Sequence, residues 1–355
     1  MNHFAGVEDV RTALSETGYL ADDRLATAVF LMTRLQKPLL VEGPPGVGKT
    51  ELAKAVAAAT GRKLLRLQCY EGQDETRALY EWDYGKQLLY TQILRDKIGQ
   101  LLADTESLEA AVERIAGQDS VFYSERFLSH RPLLEAIRSE EPVVLLIDEV
   151  DRADEALEAV LLEMLGEYQI SIPEIGTFRA VHPPLVILTS NNTRDLAAAL
   201  KRRCLHLFAD YPSAERELAI IRSKDTGLDD ALATELVTLV RRLRGLDLRK
   251  SPSVSETVDW ARTLAALETR ALTGRVVGDT LSVAVKYDKD LRTVLDALPR
   301  LGGARGGATR GARGARGGGP RRPGGGAGPP APPPPPRPRS RAPRGPPSRG
   351  SASRT

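Results

Sequence analysis

The stretch LLVEGPPGVGKTELAKA, residues 39–55, decides the fold class of this chain. A short apolar run precedes a glycine-rich segment, and a stretch rich in helix-forming residues follows it as far as Gly61, which predicts a strand, a loop and a helix. Residues 43–50 match the pattern G-x-x-x-x-G-K-[ST], which in this context predicts a phosphate-binding loop. The predicted fold class is α/β, a P-loop NTPase core in which helices flank a parallel sheet.

The predicted loop supplies the groups that the phosphates of a nucleotide require. Glycines let backbone N–H groups curl around phosphate oxygens, and the following helix offers its positive N-terminal end. We expect the Lys49 ammonium to neutralise the β- and γ-phosphates of ATP, and the Thr50 hydroxyl to ligate Mg²⁺. A chance glycine-rich turn before a helix is the alternative. The predicted nucleotide contacts are Gly43, Pro44, Pro45, Gly46, Val47, Gly48, Lys49, Thr50 and Glu51.

Two acidic residues follow a second apolar run, VVLLI at residues 143–147. A solid apolar run is typical of a central parallel strand, which is buried on both faces, and ligands bind at the carboxyl ends of such strands. We expect Asp148 to hold Mg²⁺ and Glu149 to orient and deprotonate the attacking water. The alternative is a solvated turn, but beside a complete phosphate loop we favour the catalytic interpretation.

A third apolar run, residues 185–188, ends in the polar cluster TSNN, and two adjacent arginines follow a short predicted helix. Asn191 is predicted to hydrogen-bond the γ-phosphate or the lytic water. Its alternative role, a cap of the next helix, suits Asn192 or Thr193 better. Arginine is suited to stabilising phosphoryl charge in trans, so Arg202 and Arg203 are candidates for that role. The alternative for them is an ordinary pair of surface arginines.

Taken in order, the loop and the motifs LLIDE, LTSNN and ALKRRC resemble an AAA+ ATPase. Longer segments are similar to the MoxR-type ATPases associated with carbon monoxide dehydrogenase maturation, and the resemblance covers roughly residues 7–300. The segments that carry it are residues 66–89, 131–137, 172–206 and 251–264.

The resemblance implies a homo-oligomeric ring of six subunits with ATP between neighbours. It makes Arg203 the first choice for an arginine finger and Arg202 the second. It also implies a von Willebrand factor A domain protein as partner and a metalloenzyme as client. The expected function is Mg²⁺-dependent ATP hydrolysis that drives chaperone-like remodelling or maturation of a protein client.

The chain departs from the resembled family at one position. Many AAA+ proteins carry a basic sensor residue near a helix start of S-P-R type, where this chain has Ser253. From the residues alone, this is a helix start capped by Ser253 or Ser255. Either the phosphate contact from this part of the chain is absent, or Arg249 or Lys250 supplies it.

The spacing along the chain predicts its organisation. An α/β nucleotide-binding domain is expected over residues 1–211, and amphipathic helices that form a small lid over 212–301, with Trp260 and Tyr287 in its core. Between Thr50 and Asp148, extra structure is expected, with helical spacing across 124–140. The last segment, 302–355, is rich in Gly, Arg and Pro and is predicted to be disordered.

Two further segments carry alternative interpretations. Residues 155–180 predict a helix followed by a short hairpin, which in the resembled family projects toward the pore of the ring. Ile175 and Phe178 would then contact a client, and an ordinary surface hairpin is the alternative. Trp82 and Tyr84 lie in a polar aromatic stretch and either meet a partner or pack, of which we favour packing.

The tail dominates the charge of the chain. Residues 302–355 hold 12 Arg and no Lys, His or acid, so the formal charge of +3 becomes −9 when they are left out. This acidic body argues against nucleic-acid binding outside the tail. The tail itself is interpreted as an Arg/Gly segment that binds RNA or another anion, as a Pro-rich ligand, as a solvated tail without a role, or as a shifted reading frame.

Composition also bears on location and on the rival functions. No run of 18 uncharged apolar residues occurs and no secretion signal is seen, so a cytoplasmic setting is expected. Cys69 and Cys204 fit no metal spacing, which agrees with a reducing compartment. The alternatives for function are a nucleic-acid motor or loader, a small-molecule kinase, and a nucleotide-gated binding module with little turnover.

Overall fold

The computed structural model describes residues 4–93, 124–173 and 175–301, together with Arg95 and Ser107. Its main feature is a five-stranded parallel sheet with the strand order β2-β5-β8-β1-β9. The strands of this sheet are β1 (Leu39–Glu42), β2 (Lys63–Gln68), β5 (Val143–Asp148), β8 (Leu185–Ser190) and β9 (Leu205–Phe208).

The three central strands are buried along their whole length, as their solid apolar runs predict. Their burial follows from helices on both faces of the sheet, since successive side chains of a strand point to opposite faces. On β5, Val144 and Leu146 belong to one apolar cluster, and Leu145 and Ile147 belong to another. The α/β fold class predicted from the phosphate loop is therefore confirmed.

Three helices pack on the first of these faces, and their residues form a cluster with Val144 and Leu146. The helix α3 begins at Lys49, directly after the glycine-rich loop, and Gly61 ends it in the left-handed conformation, as the sequence predicts. The three helices are α1 (Val7–Glu16), α2 (Asp23–Leu35) and α3 (Lys49–Thr60).

The insertion between β2 and β5 differs from its prediction. The helical spacing across residues 124–140 predicts one helix, but the structure has a short strand before a helix that begins only at Pro132. Proline restricts the preceding residue to extended backbone, and Arg131 has φ −96° and ψ 169°. The described elements here are α4 (Glu75–Leu79), β3 (Tyr80–Trp82), α5 (Tyr84–Ile93), β4 (Leu128–His130) and α6 (Pro132–Arg138).

Within this insertion, β3 and β4 pair antiparallel. Trp82 packs against the cluster that contains Leu145, as expected, whereas the Tyr84 side chain is exposed. Residues 94, 96–106 and 108–123 of the insertion lie outside the described part of the chain.

The predicted helix and hairpin after β5 are both present. They are α7 (Glu155–Glu167), β6 (Gln169–Ile172) and β7 (Gly176–Arg179), and the two strands pair antiparallel. Ile175 and Phe178 pack partly buried on the cluster that contains Leu145, and the Arg138 guanidinium lies 4.9 Å from the Phe178 ring centroid. These contacts with the body favour an ordinary surface hairpin over a client-contacting one.

The described residues after β9 form helices around an apolar cluster of their own. Trp260 lies at its centre, fully buried, and its Nε1 donates to Thr280 Oγ1 at 2.8 Å. Tyr287 is partly exposed and stacks with Arg249 instead of entering this core. The helices are α8 (Ala198–Arg203), which precedes β9, then α9 (Ala214–Ser223), α10 (Asp230–Arg244), α11 (Val254–Ala266), α12 (Gly274–Thr280) and α13 (Asp288–Leu301).

The separate cluster agrees with a helical lid, but the domain boundary stays a prediction. The described residues up to 301 belong to one compact unit by their contacts, and no division at residue 212 stands out among them. The predicted tail, 302–355, lies outside the described residues. Among the described helices, none combines the length and the apolar character needed to cross a membrane.

Candidate nucleotide-binding site

The glycine-rich loop between β1 and α3 makes close contacts that only glycine allows. Gly46 has φ +75°, and a Cβ there would lie 2.1 Å from the Cβ of Ser253. A Cβ on Gly43 would lie 1.9 Å from the carbonyl oxygen of Ala209. The loop is therefore enclosed by the segment after β9 and by the start of α11.

Lys49 is the buried charge of this loop, with 7% of the residue exposed. Its Nζ donates to the carbonyl oxygens of Gly43 and Pro44, each at 2.8 Å, and to Asn191 Oδ1 at 2.9 Å. Burial lowers the pKa of the Lys49 ammonium, while nearby carboxylates act to raise it. Those carboxylates belong to Asp151, Asp148 and Glu149.

Asp148 lies at the end of β5, beside the first turn of α3, and is buried. Its Oδ1 accepts from Thr50 Oγ1 at 3.1 Å and from Thr189 Oγ1 at 2.5 Å. A hydroxyl and a carboxylate side by side are hard oxygen donors of the kind that Mg²⁺ prefers. Thr50 and Asp148 therefore fit the metal that the sequence predicts for them.

Glu149 follows Asp148 in an unusual backbone conformation. Its φ of 55° and ψ of 48° are left-handed, a region that non-glycine residues rarely adopt. The conformation turns its backbone N–H to Thr189 Oγ1, at 3.0 Å. Its carboxylate lies 3.2 Å from Arg152 Nε and accepts from Asn191 Nδ2 at 3.3 Å. Strained residues of this kind cluster at functional sites.

The Asn191 amide joins the two halves of the site. Its oxygen accepts from the Lys49 ammonium, while its nitrogen donates to the Glu149 carboxylate. Because ammonium only donates and carboxylate only accepts, this orientation of the amide is the one that satisfies both partners. The structure therefore brings together the loop lysine, the acid pair and the polar residue after β8, as the sequence predicts.

Asp151 is a member of the site that no sequence motif marked. It is buried and accepts from the backbone N–H groups of Asn191 and Thr193, both at 3.1 Å, and from Thr193 Oγ1 at 2.6 Å. Burial acts to raise the pKa of Asp151, but these hydrogen bonds outweigh it and hold that pKa below its ordinary value. Asp151 thus fixes the loop that presents Asn191.

Arg202 and Arg203 lie apart from this cluster. Both are exposed at the end of α8. Among the described residues, no hydrogen bond or ion pair joins either arginine to Lys49, Asp148 or Glu149. The Arg203 side chain instead lies over α7, where a Cβ on Gly166 would be 3.0 Å from its Nε.

A cavity of about 860 Å³ opens beside the loop. Its lining residues come from four separate stretches of the chain, residues 17–25, 41–58, 207–224 and 254–262. Burial raises the pKa of Tyr19 in its wall to about 12, with Arg216 acting against it. The volume suits a small-molecule ligand, and no local pattern in any one segment indicates such a cavity.

The start of α11 contacts the phosphate loop without a basic residue. Ser253 caps the helix in a capping box with Glu256, and the Val254 N–H donates to the carbonyl oxygen of Gly46 at 3.2 Å. The two alternative sensor residues are engaged elsewhere: Arg249 stacks on Tyr287, and Lys250 Nζ lies 3.1 Å from Glu256 Oε1. Arg262, two turns along α11, is a cation that lines the cavity.

The fold and the site agree with the comparison to known families. The sequence model of the ATPase family associated with various cellular activities (AAA) matches residues 39–209, from β1 to the segment after β9. Residues 39–209 therefore form an AAA-type ATPase domain, which confirms the class that the motifs predicted.

Within that class the chain is similar to MoxR-type ATPases. Its curated relatives include the gas vesicle ATPase GvpN of Ancylobacter aquaticus, at 29% identity over 65% of this chain and 61% of that protein. Protein NorQ of Paracoccus denitrificans is 26% identical over 59% and 65%, and protein CbbQ of Hydrogenophilus thermoluteolus is 26% identical over 59% and 66%. The alignments thus span about two thirds or less of these relatives.

Proposed function

We propose that this protein couples Mg²⁺-dependent ATP hydrolysis to the remodelling or maturation of a protein client. The observation that carries the proposal is the Asn191 amide, which links the loop lysine to the acid at the end of β5. A γ-phosphate that binds Lys49 must disturb this link. The same contact can therefore report to Glu149 that triphosphate is bound.

Each residue of the cluster has a defined part in this proposal. The loop N–H groups and Lys49 bind the phosphates, and the cavity beside them takes the nucleoside. Thr50 and Asp148 hold Mg²⁺, which supplies neutralisation of the phosphate charge when it is bound. Glu149 takes a proton from the attacking water once its carboxylate leaves Arg152 and Asn191.

A ring of subunits, six by the family resemblance, completes the site. Arg203 is exposed and lies away from the acid pair of its own chain, so in this proposal it acts on the nucleotide of a neighbouring subunit, with Arg202 as the second choice. Arginine suits this role because its planar guanidinium spreads charge over phosphoryl oxygens.

The client is proposed from the resemblance to MoxR-type ATPases. A von Willebrand factor A domain protein as partner, a metalloenzyme as client and a cytoplasmic location belong to this proposal. The nucleic-acid motor is less well supported, because the charge of −9 outside the tail does not suit a phosphate backbone.

The test is an affinity capture from native lysate with the Glu149→Gln chain and ATP. General-base removal should trap the ATP-bound state, since the carboxamide cannot accept the proton. We expect a von Willebrand factor A domain protein or a metalloenzyme subunit to be retained with ATP and lost without nucleotide. The matched control is Glu149→Gln combined with Lys49→Ala, which should retain neither.

Two other outcomes would contradict the proposal. Retention of the same proteins with and without ATP would separate the interaction from the nucleotide. Retention of nucleic acid by a chain ending at Leu301 as well as by the full chain would support the motor instead, because the tail could not then be its source.

A further inference from the structure

An arginine on the edge strand of the sheet forms an ion pair with the carboxylate that is predicted to bind Mg²⁺. Arg66 Nη2 donates to Asp148 Oδ2 at 2.6 Å and also to Gln68 Oε1 at 2.6 Å. The two partners differ in burial, since the Asp148 side chain is 5% exposed and that of Arg66 is 50% exposed. The acid is therefore held in place, while the cation has a path to solvent.

Strand geometry places this arginine on the metal side of the sheet. On β2, Leu65 and Leu67 point into the cluster that contains Leu145, so Arg66 points to the opposite face. Leu64 shares that opposite face and packs with the cluster that contains α3. The parallel register pairs Gln68 with Asp148, so Arg66 reaches forward along the strand by two residues.

The other donors to Asp148 leave little room for an additional cation. Oδ1 accepts from Thr50 Oγ1 and Thr189 Oγ1, and Oδ2 accepts from Arg66 and also lies 3.3 Å from Thr50 Oγ1. A divalent cation held between Thr50 and Asp148 would stand next to the guanidinium, and two like charges at contact distance repel. The half-exposed arginine is the group that can move.

We propose that Arg66 is an internal counter-ion of Asp148 that Mg²⁺ displaces, so that Arg66 sets the metal concentration at which nucleotide binds. The inference rests on the proposed Mg²⁺–nucleotide site. Arg66 acts through Asp148 and touches no reacting atom, so it is a positioning residue. By neutralising the buried carboxylate in the metal-free protein, it also opposes binding of the metal.

The test is nucleotide binding by the full chain across a series of Mg²⁺ concentrations, read from the fluorescence of a labelled ADP. Arg66→Gln removes the charge and keeps hydrogen-bond donors. We expect the Mg²⁺ concentration at half-maximal nucleotide binding, the midpoint, to fall roughly three- to tenfold. The effect is modest because one partner of the Arg66–Asp148 ion pair is half-exposed to solvent. Arg66→Lys keeps the charge and should stay near the wild-type midpoint.

A control on the same strand separates this effect from general charge. Lys63 on β2 pairs with Glu135 of α6, at 2.6 Å, on the face of the sheet opposite to Arg66. Lys63→Gln therefore removes the same charge without touching Asp148, and its midpoint should match wild type. Thermal unfolding without metal or nucleotide should show that all three variants are folded.

The outcomes distinguish this inference from the proposed function. A midpoint that is unchanged in Arg66→Gln, or lowered equally in Lys63→Gln, overturns the counter-ion role. A raised midpoint also overturns it, because Arg66 would then hold the carboxylate in place for the metal. Nucleotide binding by wild type that does not respond to Mg²⁺ at all would instead remove the metal site of the proposed function.

Discussion

Glu149 shows how a single residue carries strain where the chemistry is proposed. Its left-handed backbone turns the N–H toward Thr189 and the carboxylate toward Asn191 and Arg152. This left-handed conformation costs a non-glycine residue roughly 1–2 kcal/mol of free energy. The contacts with Thr189 and Asn191 come from β8 and the residues that follow it, so tertiary structure helps to hold this conformation.

At the residue scale, we predict that Glu149→Gly is more stable than Glu149→Ala by about 1 kcal/mol. Both changes remove the carboxylate and its partners, but glycine adopts a positive φ without steric cost. Chemical denaturation of the two variants measures the difference. Equal stabilities, or a more stable alanine variant, would show that the backbone at residue 149 is not strained.

At the scale of the elements, two helices set the position of the proposed arginine finger. Arg203 at the end of α8 lies across Gly166 on α7, where a Cβ would be 3.0 Å from the Arg203 Nε. Glycine within a helix costs about 1 kcal/mol relative to alanine, so its presence here needs a reason. The close approach of the arginine supplies one.

We predict that Gly166→Ala leaves the free energy of unfolding unchanged or slightly raised and lowers ATP hydrolysis several-fold. Alanine favours the helix, but its methyl group pushes the guanidinium by a few tenths of an ångström, and misplaced catalytic groups lose rate. Steady-state hydrolysis at saturating ATP and urea denaturation measure the two effects.

The matched control for this change is Gly278→Ala on α12. A Cβ there would meet Leu295 Cδ2 at 3.8 Å, which is an ordinary contact. It should leave hydrolysis unchanged. In an Arg203→Ala background, Gly166→Ala should have no further effect on the rate. An additional loss there would show that Gly166 acts through a group other than Arg203.

For the whole molecule, the described chain holds the phosphate loop, the acid pair and Asn191 in one cluster, while Arg202 and Arg203 lie outside it. This division of residues is the reason to place the complete site between two subunits. The cavity is also a property of the whole molecule, because four stretches that are distant in sequence form its wall. A nucleotide in it would therefore hold the start of α11 against the phosphate loop.

We predict that Arg203→Ala and Lys49→Ala subunits, each poorly active alone, regain part of the hydrolysis rate when mixed. Mixed rings contain sites in which an intact Lys49 loop meets an intact Arg203 from the neighbour. Titrating one variant against the other at constant total protein measures the recovery. Activity that never exceeds the weighted mean of the two variants would show that the arginine does not act across an interface.

Local sequence patterns determined the elements around the site. The glycine loop, the solid apolar strands and the helix after the loop are predicted correctly. Their burial pattern and backbone preference depend mainly on residues that are close in sequence. The helix expected from the spacing over residues 124–140 begins only at Pro132, for a local reason too, since Pro132 keeps Arg131 extended. Composition alone, by contrast, carries no information on the boundary near residue 212.

Tertiary structure decided which side chains meet. The order β2-β5-β8-β1-β9 puts Arg66 of β2 beside Asp148 of β5, and the residues after β8 beside the loop after β1. Periodicity tells which face of a strand is buried, but not which strand is its neighbour or in what register. The roles of Asp151 and Arg66 depend on those neighbours, and for that physical reason no stretch of sequence marked them.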